Sequence, residues 1–188
     1  DNMEALVDYL IENTPNFKTK LESGEVTLSV HSHNDLGAAT ENALAAVRRG
    51  ARQIESTMLG LGERTGNTSM VEVVMRLKER AEHYGLDISH IKTQDFLAVS
   101  QELAETLDQE IPARTPFIGR YAFATEAGMH QKEAAKKADT YFYLKPEDVG
   151  QPEGIVFTLG RRSGKGGLDF VLQHQIGLEL SLIHISEP

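Results

Sequence analysis

Two histidines one residue apart, His31 and His33, end the apolar alternating run VTLSVHSHNDLG from Val26 to Gly37, and Asn34 and Asp35 follow at once. In a strand, side chains two apart leave on the same side, so the pair predicts two imidazoles side by side. That is metal-ligand geometry. The same residues also read as a strand end with two hydrogen-bonded histidines and an Asp35 that caps the next helix. A second loop, GLGERTGN, offers Asn67 as a neutral carbonyl oxygen, and its glycines allow tight turns and close backbone approach. By itself it also reads as a helix entry in which Asn67 makes a turn. Two imidazoles and one oxygen with further positions open suit a divalent ion that must also hold substrate. Glu63 and Arg64 read either as residues surrounding such a metal or as an ordinary ion pair.

These residues need elements to position them. Met3, Leu6, Val7, Leu10 and Ile11 recur at helical spacing, and Asn13, Thr14 and Pro15 end that helix. Val26, Leu28 and Val30 alternate as a strand. Leu36 to Arg49, rich in alanine, predicts a small-residue helix lying close on a sheet and stopped by Gly50. ARQIESTMLG is the next strand, with GLGERTGN as its exit. Strand, helix, strand with short connections is the grammar of a parallel α/β sheet, in which ligands meet the C-terminal ends of the strands. Adjacent parallel strands would set the two loops next to each other.

Ser69 and Glu72 resemble a capping box opening a helix that runs through Met70, Val73, Val74, Leu77, Ala81 and Tyr84 to Gly85. Thr93 to Leu107 is another amphipathic helix, through Phe96, Val99, Leu103 and Leu107, followed by the Pro-punctuated IPARTPFIGR. Beyond Tyr121 the pattern is mixed. It holds a helix around His130 to Lys137, an apolar YFYL run, a turn near Pro146 to Gly150, the strand-like GIVFTLG and a last helix from Leu168.

Composition narrows the classes. A net charge of −9 argues against nucleic-acid binding, which relies on Lys and Arg to neutralise phosphates. With no cysteine, disulfides, thiolate nucleophiles and Cys-based zinc sites are excluded. No apolar run reaches the ~20 residues of a membrane span and no signal peptide opens the chain, so the expected compartment is cytoplasmic.

HSHNDLGAATENALAAVRRGARQIESTMLGLGERTGNTSMVEVVM resembles the metal-site region of the isopropylmalate/homocitrate synthase family, acyl-CoA-condensing metalloenzymes built on a metal-dependent TIM barrel. ARQIE, GERTGN and EVVM are most similar to its isopropylmalate-forming members, and FATEAGMHQ, PEDVG and LGRRSGKGG match the family's accessory region in the same order. The similarity covers residues 1 to 179. It implies that His31, His33 and Asn67, the last 34 residues after His33, ligate a divalent metal such as Mn2+, Mg2+ or Zn2+. It further implies that His130 and Tyr141 are catalytic, with Tyr143 close enough to leave that register open, and that the enzyme is a homodimer whose accessory region reaches an active site. The implied substrates are acetyl-CoA and a 2-oxo acid, joined by a Claisen-type condensation in leucine biosynthesis. Homocitrate and citramalate synthases differ only in the 2-oxo acid. The superfamily's lyases use a cysteine-bearing glycine-rich loop where this chain has GERTGN. A non-catalytic metal-binding or dimerisation fragment is the reading from another class.

The expected fold is α/β. Residues 1–90 form the C-terminal part of a (β/α)8 barrel, 91–120 a linker helix region, 121–180 a mostly helical accessory subdomain, and 181–188 a non-native tail resembling translated sequencing-adapter DNA. A whole barrel takes about 250 residues. The resemblance puts the family's aspartate ligand and a catalytic arginine on a first strand outside this sequence. Two strands cannot close a barrel, so open strand edges and apolar sheet faces are expected to be exposed, and the polypeptide alone is expected to be inactive and poorly folded.

Overall fold

The computed structural model describes residues 2–125, 144–152, 154–158, 160, 168, 171 and 172. The chain separates into two compact units, Asp1–Thr93 and Gln94–Pro188.

The first unit opens with α1 (Asn2–Asn13), which stops just ahead of Thr14 and Pro15 as the sequence predicts, and a short α2 (Phe17–Glu22). Next come β1 (Ser29–His31), α3 (Ala39–Arg48) and β2 (Gln53–Glu55). The two strands pair in parallel, with Ser29 opposite Gln53, Val30 opposite Ile54 and His31 opposite Glu55. The expected βαβ unit is therefore present. Its crossover helix buries Ala39, Thr40, Ala43, Leu44, Ala45, Ala46 and Val47, and it contacts α1, β1 and the later helix α4 (Met70–Glu79). Alanine at four of these positions lets all three neighbours approach the backbone closely. Val7, Val30, Leu44, Val47, Val73 and Leu77 form the centre of this core. Arg48 fastens its edge, with Nε 2.8 Å from Glu4 on α1 and Nη1 3.1 Å from Glu41 on α3.

The sheet's open face differs from expectation. Val30 is buried, with Leu28 and Ile54 packed against the core beside it, whereas Ser29, His31, Gln53 and Glu55 on the other side are exposed. The uncovered face is thus polar, because the apolar residues of both strands all point to the helices. An apolar stripe does remain uncovered on α1, where Leu6, Tyr9 and Leu10 are exposed while Val7 is buried and Met3 and Ile11 pack inward.

Helix α4 begins at Ser69, whose Oγ accepts the Glu72 N–H at 3.4 Å. The Glu72 carboxylate accepts from the Thr40 hydroxyl at 3.0 Å, tying α4 to α3. The helix expected to run unbroken to Gly85 is interrupted at Arg80 (φ −128°, ψ 32°), then resumes as α5 (Ala81–Tyr84) before Gly85 in the left-handed region. The break follows a tightened last turn in which the Arg80 N–H bonds to Leu77 O, three residues back, at 3.3 Å. Val71 and Met75 are buried beside Val73, Val74 and Leu77, a wider apolar stripe than the spacing picked out.

In the second unit, α6 (Phe96–Thr106) follows a 3-10 turn at Thr93–Asp95. Its buried face is Phe96, Leu97, Ser100 and Ala104, while Val99 and Leu107, assigned to that face from spacing, are 44% and 39% exposed. The helical period is right and the face is rotated toward the small residues, which allow closer packing. β3 (Ala124–Thr125), not foreseen, pairs in parallel with β4 (Val156–Phe157) inside the strand-like GIVFTLG. Between them lies a 3-10 turn, Pro146–Val149, closed by Gly150 at φ 78°, where a Cβ would come 2.0 Å from Gln94 O. The expected helix at 130–137, the YFY of the apolar run and most of the final helix lie outside the described residues. Among the described residues, no helix is long and apolar enough to cross a membrane.

Candidate metal centre

His31 closes β1, and His33 follows after Ser32, which is buried on the opposite side. The two rings lie edge to face, centroids 4.9 Å apart and planes at 72°. On the neighbouring strand Glu55 holds Oε2 3.0 Å from His31 Nδ1 and Oε1 3.3 Å from the Ser29 hydroxyl. With Nδ1 engaged by a carboxylate, Nε2 is the His31 ring nitrogen with a lone pair to offer.

The Gly60–Asn67 loop folds back onto the end of β1. Asn34 N–H donates to Gly66 O at 2.8 Å and Thr68 N–H to Ser32 O at 3.1 Å, so His33 and Asn67 face each other as an antiparallel pair. In a pair flanked by its hydrogen bonds, as here, the Cα atoms are about 4.5 Å apart and both side chains leave on the same side. Asn67 is thereby turned to the side of the imidazoles. Thr68 anchors this arrangement from within the core: it is fully buried, and its hydroxyl lies 3.3 Å from Ser32 O. The Asn67 amide nitrogen donates to Leu61 O at 3.0 Å, whereas its Oδ1 is buried without a partner. Gly62 makes room for that amide, since a Cβ there would fall 2.5 Å from Nδ2 and 2.8 Å from Oδ1.

The Glu63–Arg64 ion pair that the sequence offered is present, and Arg64 has a nearer partner besides. Arg64 reaches across to Asp35, Nε to Oδ1 at 2.7 Å and Nη2 to Oδ2 at 3.0 Å, while Glu63 is 3.6 Å from Nη1. Hydrogen bonding to Arg64 holds the Asp35 carboxyl below the usual aspartate range, and the same bond raises Arg64. Helix α3 is entered through Asn34 instead of Asp35, its Oδ1 accepting the Ala39 N–H at 3.2 Å.

These donors fit a divalent cation of the class bound by imidazole and oxygen: two adjacent imidazoles, one held by a carboxylate, and a buried carbonyl oxygen with both lone pairs unclaimed. Among the described residues, no group of three or more His, Cys, Asp or Glu could hold a metal ion. His130 and Tyr141 lie outside the described residues. Glu55 and Thr68 went unassigned in the sequence. A lone carboxylate at a strand end carries no local signal, and only the register of β1 on β2 reveals it.

A parallel strand pair covered by helices on one face, with His31, His33 and Asn67 near where the strands end, makes the first unit an α/β structure. The sequence model of the HMGL-like family matches residues 2–101, more than half of the chain, and the chain belongs to that family. A second model, homocitrate synthase post-HMGL domain-like, matches residues 117–187. The chain is 44% identical to 2-isopropylmalate synthase of Solidesulfovibrio magneticus over 78% of its own length and 28% of the relative's. It is 44% identical to 2-isopropylmalate synthase of Haemophilus influenzae over 77% and 28%. It is also 41% identical to the chloroplastic methylthioalkylmalate synthase 2 of Arabidopsis thaliana over 93% and 34%. The chain thus spans about a third or less of the length of the curated relatives it matches.

Proposed function

We propose that this chain is the C-terminal part of the catalytic barrel and the following accessory region of a 2-isopropylmalate synthase, which condenses acetyl-CoA with 2-oxoisovalerate. The observation that carries the reading is that Asn67, its Oδ1 buried and unpartnered, is paired across from His33, whose ring lies beside that of His31, at the C-terminal end of a parallel strand pair. Its kinship supports the choice of reaction. The polar open face of the sheet and the uncovered Leu6, Tyr9 and Leu10 of α1 support a place within a larger barrel.

In this reading His31, His33 and Asn67 hold a divalent cation. When bound, the cation supplies Lewis-acid polarisation of a keto-acid carbonyl. Glu55 orients His31, and the two donor loops keep Asn67 beside His33. In the reaction the acetyl methyl group loses a proton, its carbon bonds to the keto carbon, and the C=O π pair moves to the keto oxygen, which takes up a proton to become a hydroxyl. Water then cleaves the thioester, releasing CoA. His130 is proposed to carry one of these protons, since an unperturbed imidazole titrates near ~6.5, and Tyr141 to assist it from the accessory region of a homodimer. The protein works in the cytoplasm.

The test is release of CoA thiol with 2-oxoisovalerate by the natural full-length polypeptide carrying this segment, unaltered and as Asn67→Ala. The unaltered enzyme is expected to turn over, to stop with a chelator, and to lose at least about 100-fold in kcat/KM on Asn67→Ala. Turnover indifferent to both would sink the reading. Residues 1–179 alone are expected to be inactive, and robust turnover by them would refute the assignment as part of a barrel. The methylthioalkylmalate synthase likeness, which extends over 93% of the chain, favours a second reading in which that relative's named product replaces isopropylmalate. Product analysis with both keto acids separates the two.

A further inference from the structure

The donor loops meet at their bases through backbone bonds, Asn34 N–H to Gly66 O at 2.8 Å and Thr68 N–H to Ser32 O at 3.1 Å, and at their tips through Arg64 and Asp35. We propose that Asp35 and Arg64 are a positioning pair: their clamp keeps Asn67 in place beside His31 and His33, and its loss weakens cation binding without unfolding the unit. This rests on the reading of those three residues as the cation's donors.

Stability of the fold does not account for the pair. Both side chains are about half exposed, 51% for Arg64 and 45% for Asp35, where an ion pair contributes little. Arg64 nevertheless holds a left-handed backbone, φ 57°, which a residue with a Cβ adopts only at a cost. Strained backbone retained for a weak surface contact points to a local geometric demand. The contact is also of the kind that fixes geometry, since two parallel N–H to oxygen bonds from one guanidinium set both distance and angle.

The loop can transmit that constraint. Gly66 N–H bonds to Glu63 O at 3.0 Å, closing a turn around Arg64 and Thr65, and the next N–H, that of Asn67, bonds to Gly60 O at 2.9 Å. A shift of Arg64 therefore passes through a closed turn to Gly66, whose carbonyl holds Asn34, and to Asn67. Asp35, for its part, is two residues from His33 on the opposing segment.

The clamp is tested in the natural full-length polypeptide carrying this segment by Mn2+ calorimetry without substrate, thermal unfolding, and amide hydrogen exchange of the metal-free protein. Arg64→Gln and Asp35→Asn are each expected to weaken Mn2+ binding by about tenfold to a hundredfold. They should speed exchange of the Asn34 N–H and leave the thermal midpoint nearly unmoved. Arg64→Lys, which keeps the charge and loses the fork, is expected to bind Mn2+ as weakly as Arg64→Gln. Full recovery in Arg64→Lys, or unchanged Mn2+ affinity in Arg64→Gln and Asp35→Asn, overturns the proposal. If the unaltered protein takes up no Mn2+, the donor reading fails, and unchanged Asn34 exchange in the variants then removes the clamp as well.

Discussion

Glu55 and His31 are register partners on adjacent parallel strands, and the Glu55 carboxylate lies 3.0 Å from His31 Nδ1. A carboxylate on one ring nitrogen leaves the other as the donor, and partners of this kind affect metal affinity by 10–100-fold. Glu55→Ala is therefore expected to weaken Mn2+ or Zn2+ binding by about tenfold or more. Both side chains are exposed in this structure, so the unfolding midpoint should move little. Titration of the ion against a competing chelator measures the first effect and a urea melt the second.

The two buttressing glycines of the Asn67 loop should fail differently. At Gly66, φ is 95° and a Cβ would lie 2.1 Å from the Gly60 carbonyl oxygen that accepts the Asn67 N–H. Gly66→Ala is expected to lower stability by about 2 kcal/mol, because both the backbone and the contact forbid the new atom. At Gly62 the obstacle is the Asn67 amide, which can swing away. Gly62→Ala should leave the urea midpoint almost unchanged and cost metal affinity, so measuring both quantities on both variants separates the two roles.

Glu41 on α3 carries a pH signature of its own. Burial alone would raise its carboxyl, but hydrogen bonds from Arg76 and Arg48 outweigh burial and hold it below the ordinary glutamate value of 4.5. A carboxyl depressed on folding stabilises the native state above its unfolded pKa and loses that contribution as pH falls through the folded one. Glu41→Gln is expected to be less stable than the unaltered protein at pH 7, with the difference shrinking toward zero between about pH 5 and pH 3. Urea midpoints across that range test it. A constant difference would show that the carboxylate is not favoured by folding.

Leu44 is fully buried at the centre of α3, between α1, α4 and β1. Leu44→Ala removes about three methylene equivalents from a packed site and should destabilise the unit by about 2–5 kcal/mol. Denaturant unfolding followed by circular dichroism would show it. A loss under about 1 kcal/mol would mean that the core collapses around the gap.

The parts of this fold that were legible in the sequence are those written in local pattern. Proline ended α1, alternation marked β1, alanine marked the crossover helix, and two residues of separation put the imidazoles on one side. Non-local relationships were not legible. Arg64 sits beside Glu63 in the chain, yet its closer partner is Asp35, 29 residues back, because two loops meet. Asn34 and Asp35 are both capping residues by type, yet Asn34 accepts the Ala39 N–H while Asp35 pairs with Arg64. The rotated face of α6 and the break at Arg80 follow from neighbours that helical period does not encode. The open sheet face was expected to be apolar. It is polar because Ser29, His31, Gln53 and Glu55 share a side that no helix of the unit covers.

The crowding around Gly62 and Gly66 has an evolutionary consequence. Every missense change in a glycine codon adds a Cβ, and at these two positions that atom meets the Asn67 amide or the Gly60 carbonyl. Glu63 and Thr65, between them, face solvent and meet no such barrier. Within this octapeptide, substitution meets the least steric resistance at Glu63 and Thr65, while the room left for the Asn67 amide depends on Gly62.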